Sequence, residues 1–228
     1  MLAAGRGTRL GSITASCPKP LVPVGDSTPL GIWLTELDRH GFDEIIVNAH
    51  YLADQIVEFV ESRDWKSPVR VVREDSLRGT AGSTRSLLES SGISDAVVIH
   101  ADNYFRGDLC PLLEAFAGRP QSVEICMYTF ECDDPSDVGV VDVDSNGIVY
   151  RFSEKDTSAV SREANAAIFV VARSVVLSIT DEADFSAEVL PKFVGRIIAV
   201  PLDGVVVDIG TPGRLQHARS IAEEGSAN

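Results

Sequence analysis

The chain has 228 residues, 44% of them hydrophobic, and a formal net charge of −14. A chain of this length buries roughly 70–75% of its unfolded surface, so one α/β domain or two small ones can stand without disulfides or structural metals. The acid excess excludes a nucleic-acid backbone bound through a basic face, and no apolar run is long enough to span a bilayer. The four cysteines, Cys17, Cys110, Cys126 and Cys132, form no C-x-x-C pair. Together with the lack of an N-terminal signal pattern, this predicts a soluble, cytoplasmic chain with reduced thiols.

The chain opens on a short apolar run, Leu2-Ala3-Ala4, followed at once by Gly5-Arg6-Gly7-Thr8-Arg9; further on, Lys19 stands between Pro18 and Pro20. Glycines and small residues leave backbone N–H groups bare, and in a tight turn such groups form a concave nest for phosphate oxygens. Arg9 adds a planar fork of donors. Lys19 adds a point charge whose backbone is fixed by prolines on both sides. Two other phosphate loops do not fit. The dinucleotide fingerprint fails because Leu10 stands where its third glycine belongs, and a P-loop fails because no Gly-Lys-Ser/Thr triplet occurs. The stretch reads as a nucleoside triphosphate site.

Strand and helix then alternate. Thr28 to His40 carries Leu30, Trp33, Leu34 and Leu37 on one stripe and ends at Gly41, a helix with its closing glycine. Ile45 to Val47 reads as a buried strand, Leu52 to Val60 as a second helix and Val69 to Val72 as the next strand. Apolar runs that do not alternate imply a sheet covered on both faces, hence a doubly wound, mostly parallel α/β core. Next, Arg78-Gly79-Thr80-Ala81-Gly82-Ser83 leads into a helix through Leu87 and Leu88. Such a turn brings backbone amides to a ligand, although these residues by themselves also fit an ordinary strand-to-helix connection.

The apolar strand from Ala96 ends in Ala101-Asp102-Asn103. Ligands of open α/β sheets bind beyond the carboxyl ends of the strands, which sends Asp102 to the edge that carries the Gly5 loop. Magnesium takes carboxylate and phosphate oxygens. Asp102 could instead cap the helix that follows, but Asp108 is better placed to do so. From Val123 the pattern turns β-rich: Ile125 to Phe130, then Val138 to Val143 and Ile148 to Phe152 joined by Asp144-Ser145-Asn146-Gly147, a hairpin signal. That hairpin leads to Glu154-Lys155, which also fits a solvated surface pair, and a strand from Ala164 to Val171 includes Asn165. The segment Asp184 to Phe193 reads as a capped helix with Ser186 as N-cap. Finally Val205 to Val207 ends in Asp208, and Thr211-Pro212 opens the last helix. Two carboxylates about 4 Å apart repel by roughly 4 kcal/mol at an effective dielectric of 20, so Asp102 and Asp208 meeting at one place calls for a shared cation.

Five motifs in order, Gly5 to Arg9, Pro18 to Pro20, Gly79 to Gly82, Glu154-Lys155 and Asp208 to Pro212, resemble those of the sugar-phosphate nucleotidyltransferases. Within that family the wording is similar to enzymes that join GTP to mannose 1-phosphate and their relatives acting on heptose or N-acetylmuramate 1-phosphate. The resemblance implies a Rossmann-like sheet with a small β-rich sugar-binding insertion. It implies a single catalytic domain over residues 1–222, with a nucleotide-binding half in 1–122, a sugar-binding half in 123–210 and a polar tail over 223–228. It implies a nucleoside triphosphate held by Leu2, Ala3, Ala4, Gly5, Gly7, Thr8, Glu74, Gly79, Thr80 and Ala81. A sugar 1-phosphate would be held by Asn103, Glu154, Lys155 and Asn165, magnesium by Asp102 and Asp208, and the phosphates in reaction by Arg9 and Lys19 as catalytic residues.

The sequence departs from the family at Ala101, Asp156 and Ala167, where glycine, proline and glycine are usual, and its first strand is reduced to three residues. The bare catalytic domain leaves no acetyl transfer to expect. A non-catalytic, nucleotide-sugar-binding regulatory subunit is the alternative, and homo-oligomerisation is left open.

Overall fold

The computed structural model describes residues 1–89, 91–92 and 95–226. In chain order the helices are α1 Pro29–His40, α2 Ala53–Glu61, α3 Gly79–Glu89, α4 Cys110–Ala117, α5 Arg173–Ser178 and α6 Pro212–Ser226. The strands are β1 Ile45–Ala49, β2 Val69–Arg73, β3 Asp95–Ile99, β4 Asn103–Arg106, β5 Ile125–Glu131, β6 Gly139–Val143, β7 Val149–Glu154, β8 Glu163–Ala172, β9 Ile197–Pro201 and β10 Val205–Asp208. These elements form two compact units. One comprises Met1–Leu77, His100–Arg106 and the chain from Gly204; the other comprises Arg78–Ile99 and Gly107–Asp203.

In the first unit β1 is buried along its whole length and pairs in parallel with β2, Ile45 opposite Val69 through Ala49 opposite Arg73. The short opening run is a central strand reduced to one residue. Leu2 bridges in parallel to Asn48 on one side and to His100 on the other, and the Ala101 N–H donates to the Leu2 carbonyl at 3.0 Å. Asn48 is the polar member of an otherwise apolar strand. Its Oδ1 accepts the Ala3 N–H at 2.6 Å, which satisfies a backbone donor that the shortened ladder would otherwise orphan.

Helix α1 has the sequence signals expected of it. Thr28 caps the Gly31 N–H at 3.1 Å, Pro29 opens the first turn, Leu30, Trp33, Leu34 and Leu37 face inward, and Gly41 closes it. Trp33 stacks on Phe105 of β4 with ring centroids 4.3 Å apart, and its indole N–H donates to the Asn103 carbonyl at 3.0 Å. A buried indole thereby finds its partner. β4 pairs antiparallel with β10, Asn103 opposite Asp208. Beneath them Leu10, Val22, Val24, Tyr104, Ile209, Leu215 and Ala218 form one apolar cluster that anchors the start of α6, with Cys17 packed against it. Helix α2 begins one residue later than the pattern predicts, because Leu52 stands in the left-handed region at φ 49° as its N-cap. Residues 223–226 of the polar tail continue α6, and 227–228 lie outside the described residues.

In the second unit the sheet order is β7-β6-β8-β5-β9, with β3 also pairing with β8. β5 and β9 are parallel, while β8 pairs antiparallel with β3, β5 and β6. Asp144 Oδ1 accepts the Asn146 and Ile148 N–H groups at 2.8 and 2.9 Å and closes the predicted hairpin, with β7 beginning at Val149. A bridge from Ile148 to Ile198 ties that hairpin back to β9. Phe169 and Phe185 pack with centroids 5.1 Å apart, and Tyr128 Oη donates to the Asp108 carbonyl at 2.6 Å. Among the described residues no helix is long and apolar enough to cross a membrane.

Candidate active site

The glycine-rich turn of the first unit has the shape its composition demands. Gly7 stands at φ 60°, and a Cβ there would lie 3.0 Å from Lys19 Cβ and 3.1 Å from Thr14 Cγ2. Only glycine meets both conditions. Its carbonyl accepts the Leu10 N–H at 3.0 Å and Thr14 Oγ1 at 2.9 Å, which ties together two 3₁₀ turns over Thr8–Ala15 that meet at a kink at Gly11, φ 59°. A second 3₁₀ turn, Lys19–Leu21, follows the extended Pro18 and carries Pro20 within it. The prolines therefore fix the backbone on both sides of Lys19, as the P-K-P wording implies.

Lys19 is buried, its side chain 7% exposed, and its ammonium bridges two carboxylates. Nζ lies 2.9 Å from Asp102 Oδ2 and also pairs with Asp208 Oδ1. Asp208 Oδ1 further accepts the Gly210 N–H at 3.0 Å, while its Oδ2 lies 3.4 Å from Arg9 Nη2 and 3.6 Å from Arg214 Nη1. A Cβ on Gly210 would stand 2.6 Å from Arg9 Nη2 and 3.0 Å from Asp208 Oδ1, so a side chain there would displace the Arg9 guanidinium from Asp208. The two carboxylates and both cations singled out from the sequence thus meet in one cluster. Asp102 and Asp208 converge on a shared cation, and that cation is Lys19.

Burial works against the charge on both partners, and the pairing prevails. It pulls the Lys19 pKa down, but the two carboxylates together carry it above the ordinary lysine value. It pushes Asp208 up, but Lys19, Arg9 and the Gly210 N–H leave it below the ordinary carboxylate range. Asp208, depressed, contributes stability that is complete above its unfolded pKa and is lost as pH falls through the folded one. Lys19, raised, contributes stability that is complete below its unfolded pKa and is lost as pH rises through the folded one. Chemical denaturation in chelator from about pH 3 to 10 should accordingly show Asp208→Asn less stable than the parent by a constant margin near neutrality, with the margin closing at the acid end. A margin independent of pH at the acid end would refute the pairing.

Behind the loop lies a second polar group. Glu74 is 8% exposed, and its Oε1 accepts Asn48 Nδ2 at 3.1 Å, on the same Asn48 that holds Ala3. Its Oε2 is buried without a hydrogen-bond partner among the described residues. Leu2, Ala3 and Ala4 are buried, Gly5 has nothing within 4 Å of where a Cβ would lie, and Thr8 begins the 3₁₀ segment.

In the second unit Gly79, Thr80 and Ala81 form the first turn of α3. The Ala81 N–H donates to the Ala183 carbonyl at 3.0 Å, and Thr80 Oγ1 accepts the Phe185 N–H at 2.8 Å. That turn is therefore docked on the 183–185 loop. Glu154 ends β7, and burial raises its carboxyl pKa, with Lys155 opposing and Asp184 reinforcing the shift. Lys155 stands at φ 50°, and its N–H donates to the Val138 carbonyl at 3.1 Å. Asn165 donates Nδ2 to Ser186 Oγ at 3.1 Å and accepts the Ala167 N–H on Oδ1 at 2.8 Å, so both ends of its amide are engaged.

Residues 1–224 of the 228 match the nucleotidyl transferase family. The chain belongs to this family. It is 30% identical to UTP–glucose-1-phosphate uridylyltransferase of Synechocystis sp. over 97% of its own length and 62% of that protein's. It is 26% identical to D-glycero-alpha-D-manno-heptose 1-phosphate guanylyltransferase of Campylobacter jejuni over 95% of its length and 96% of that protein's. The chain thus spans less than two thirds of the first of these relatives and nearly all of the second. Among solved structures, HddC from Yersinia pseudotuberculosis complexed with GMP-PN has a TM-score of 0.78 at 26% identity, with 96% of each chain covered. The fold is that of the family's nucleotide-diphospho-sugar transferases.

Two features of these sites lie outside the sequence reading, and a third corrects it. Arg214 stands in the first turn of α6, where the helix dipole disfavours a cation, and that misfit is the signal that it has an acidic partner. His50 Nδ1 lies 2.7 Å from the Glu74 carbonyl, which makes Nδ1 the protonated nitrogen and gives the ring an orienting partner. The N-cap of the turn after residue 183 is Asp184 rather than Ser186. Asp184 accepts the Ala187 N–H at 2.8 Å, Glu188 reaches back to the Ala183 N–H at 2.6 Å, and Ser186 lies inside the turn bonded to Asn165.

Ala167, in the place of a family glycine, adopts φ 56° within a bulge where Asn165 to Phe169 on β8 face Thr129 to Met127 on β5. An alanine held in the left-handed region costs about 1 kcal/mol. Ala167→Gly should raise the melting temperature by about 2–4 °C, and a fall would show that the bulge is not strained.

Proposed function

We propose that this chain transfers a nucleoside monophosphate from a nucleoside triphosphate to a sugar 1-phosphate and releases pyrophosphate, with GTP as the favoured triphosphate and a mannose- or heptose-type sugar as acceptor. The observation that supports this most directly is the convergence of Arg9, Lys19, Asp102 and Asp208 beside the Gly5–Thr8 turn, in a member of a family whose relatives are uridylyl- and guanylyltransferases.

No nucleophilic side chain is needed. An oxygen of the sugar phosphate attacks the α-phosphorus in line; the new P–O bond forms as the α–β bridging bond breaks, and the electron pair leaves on pyrophosphate. Positioning and charge neutralisation therefore carry the reaction. Lys19 and Arg9 bind the α-phosphate and the departing pyrophosphate oxygens, and the bare amides of Gly5, Gly7 and Thr8 receive the outer phosphates. Two carboxylates already drawn to one cation are the hard oxygen donors magnesium takes, so Asp102 and Asp208 fit it. Bound there, magnesium supplies neutralisation of phosphate charge. Within the second unit, Glu154, Lys155 and Asn165 are the polar side chains that suit a sugar phosphate.

Glu74 supports the choice of base. Guanine presents two donors side by side, N1–H and the 2-amino group, which a carboxylate accepts together. Uracil and thymine present one N–H between two carbonyls, and adenine and cytosine present one amino donor beside an acceptor nitrogen. A carboxylate therefore suits guanine best, and reading the base requires the Glu74 side chain to turn its buried, unpartnered Oε2 out toward the ligand.

Pyrophosphate release should be measured with magnesium for GTP, UTP, CTP, dTTP and ATP, each against a panel of sugar 1-phosphates. Release that requires GTP together with one sugar phosphate is the expected result. A folded protein that binds nucleotide sugars yet releases nothing with any pair would instead be a binding subunit.

A further inference from the structure

Lys19 does more in this cluster than wait for phosphate. Its ammonium already holds the oxygens that the proposed cation site would use, Asp102 Oδ2 at 2.9 Å and Asp208 Oδ1. Arg9 and Arg214 flank the other oxygen of Asp208, so three cationic side chains face two carboxylates. The carboxylates remain reachable, 24% and 33% exposed, whereas the lysine side chain is 7% exposed with its backbone pinned between prolines. A divalent cation arriving alone would add charge to a cluster already in positive excess. It would also strip a buried ammonium of both its counter-charges, which is among the most destabilising changes a protein interior can suffer. A triphosphate changes both terms, because it brings negative charge and gives the ammonium other oxygens to bind.

We propose that Lys19 is a resident counter-ion that keeps Asp102 and Asp208 closed to a divalent cation until a triphosphate draws its ammonium away, so that cation and nucleotide enter as a coupled pair. This rests on the reading of Asp102 and Asp208 as the metal pair. It also explains why the site spends a buried lysine on two acids: the lysine keeps the free protein's acids neutralised without committing them to a metal.

Manganese(II) binding followed by its paramagnetic resonance tests this on the full chain, with no nucleotide present. The parent should bind Mn2+ weakly, and Lys19→Met, which keeps the buried stem and removes the charge, should bind at least tenfold more tightly. Lys19→Arg should restore the weak binding. In thermal melts Lys19→Met should gain stability from Mn2+ over chelator while the parent is unmoved. A parent that binds Mn2+ tightly without nucleotide, and loses that binding in Asp102→Asn, overturns the proposal whether or not the lysine variant folds.

The two readings fail separately. If Asp102→Asn and Asp208→Asn weaken Mn2+ binding in the complex with α,β-methylene GTP but Lys19→Met binds no more tightly than the parent without nucleotide, the counter-ion role fails and the metal pair stands. If neither aspartate variant alters Mn2+ binding under any condition, the metal pair itself is wrong.

Discussion

Asp208→Asn is expected to lower pyrophosphate-releasing turnover by roughly 10²–10³ or more, with a smaller change in the apparent affinity for the triphosphate. The amide is the same size and can still accept the Gly210 N–H, so the turn after β10 should keep its shape. The charge is lost, and with it one of the two acids that neutralise Lys19 and the group that Arg9 and Arg214 both face. The stability cost should be about 1–3 kcal/mol, since a hydrogen bond to a charged group is weakened while Lys19 keeps Asp102. Asp102→Asn should damage turnover comparably but cost less stability, because Lys19 then retains the better connected of its two partners. Steady-state kinetics and urea denaturation on the two variants separate the effects. Near-normal turnover in a folded Asp208→Asn protein would remove Asp208 from the reaction and leave it as a structural counter-charge.

The sequence was most informative where chemistry is local. The stripe of Leu30, Trp33, Leu34 and Leu37, bracketed by Thr28-Pro29 and Gly41, needs only helical periodicity and end signals, and the helix follows those bounds. The strands from Ile45 and Val69 were legible for a similar reason, as short apolar runs between turn residues. Pairing across the chain is not written in any window. Lys19 and Asp208 are 189 residues apart, and nothing in either neighbourhood states that one ammonium would serve both acids, although two acids converging on one place did call for a cation. The bulge at Ala167 is invisible because alanine has no preference for the left-handed region; it is the surrounding register, with β5 and β6 holding the ends, that imposes it. The capping choice at Asp184 went the same way. Asp and Ser both cap, and the deciding contact was Asn165 taking Ser186 for itself.

Glu74→Gln is expected to lower kcat/KM for GTP by about a hundredfold and to raise the share of turnover with UTP or dTTP. Glutamine preserves the volume and can still accept Asn48 Nδ2, so the chain of contacts from Glu74 through Asn48 to the Ala3 N–H should survive. What changes is the second terminal atom. An oxygen that now lacks a partner becomes an amide nitrogen, and a donor facing the N1–H or amino group of guanine repels where the carboxylate would have accepted. For uracil and thymine the sign reverses, because an acceptor and a donor side by side match their N3–H and adjacent carbonyl. Stability should hardly move, since one unpaired buried atom replaces another. The comparison therefore isolates base reading from folding: the effect should appear in the ratio of kcat/KM between GTP and UTP, and the melting temperature should stay within about 2 °C of the parent. If the ratio is unchanged while both values fall together, Glu74 acts by holding Asn48 and Ala3 in place, and the guanine preference must be set by other residues.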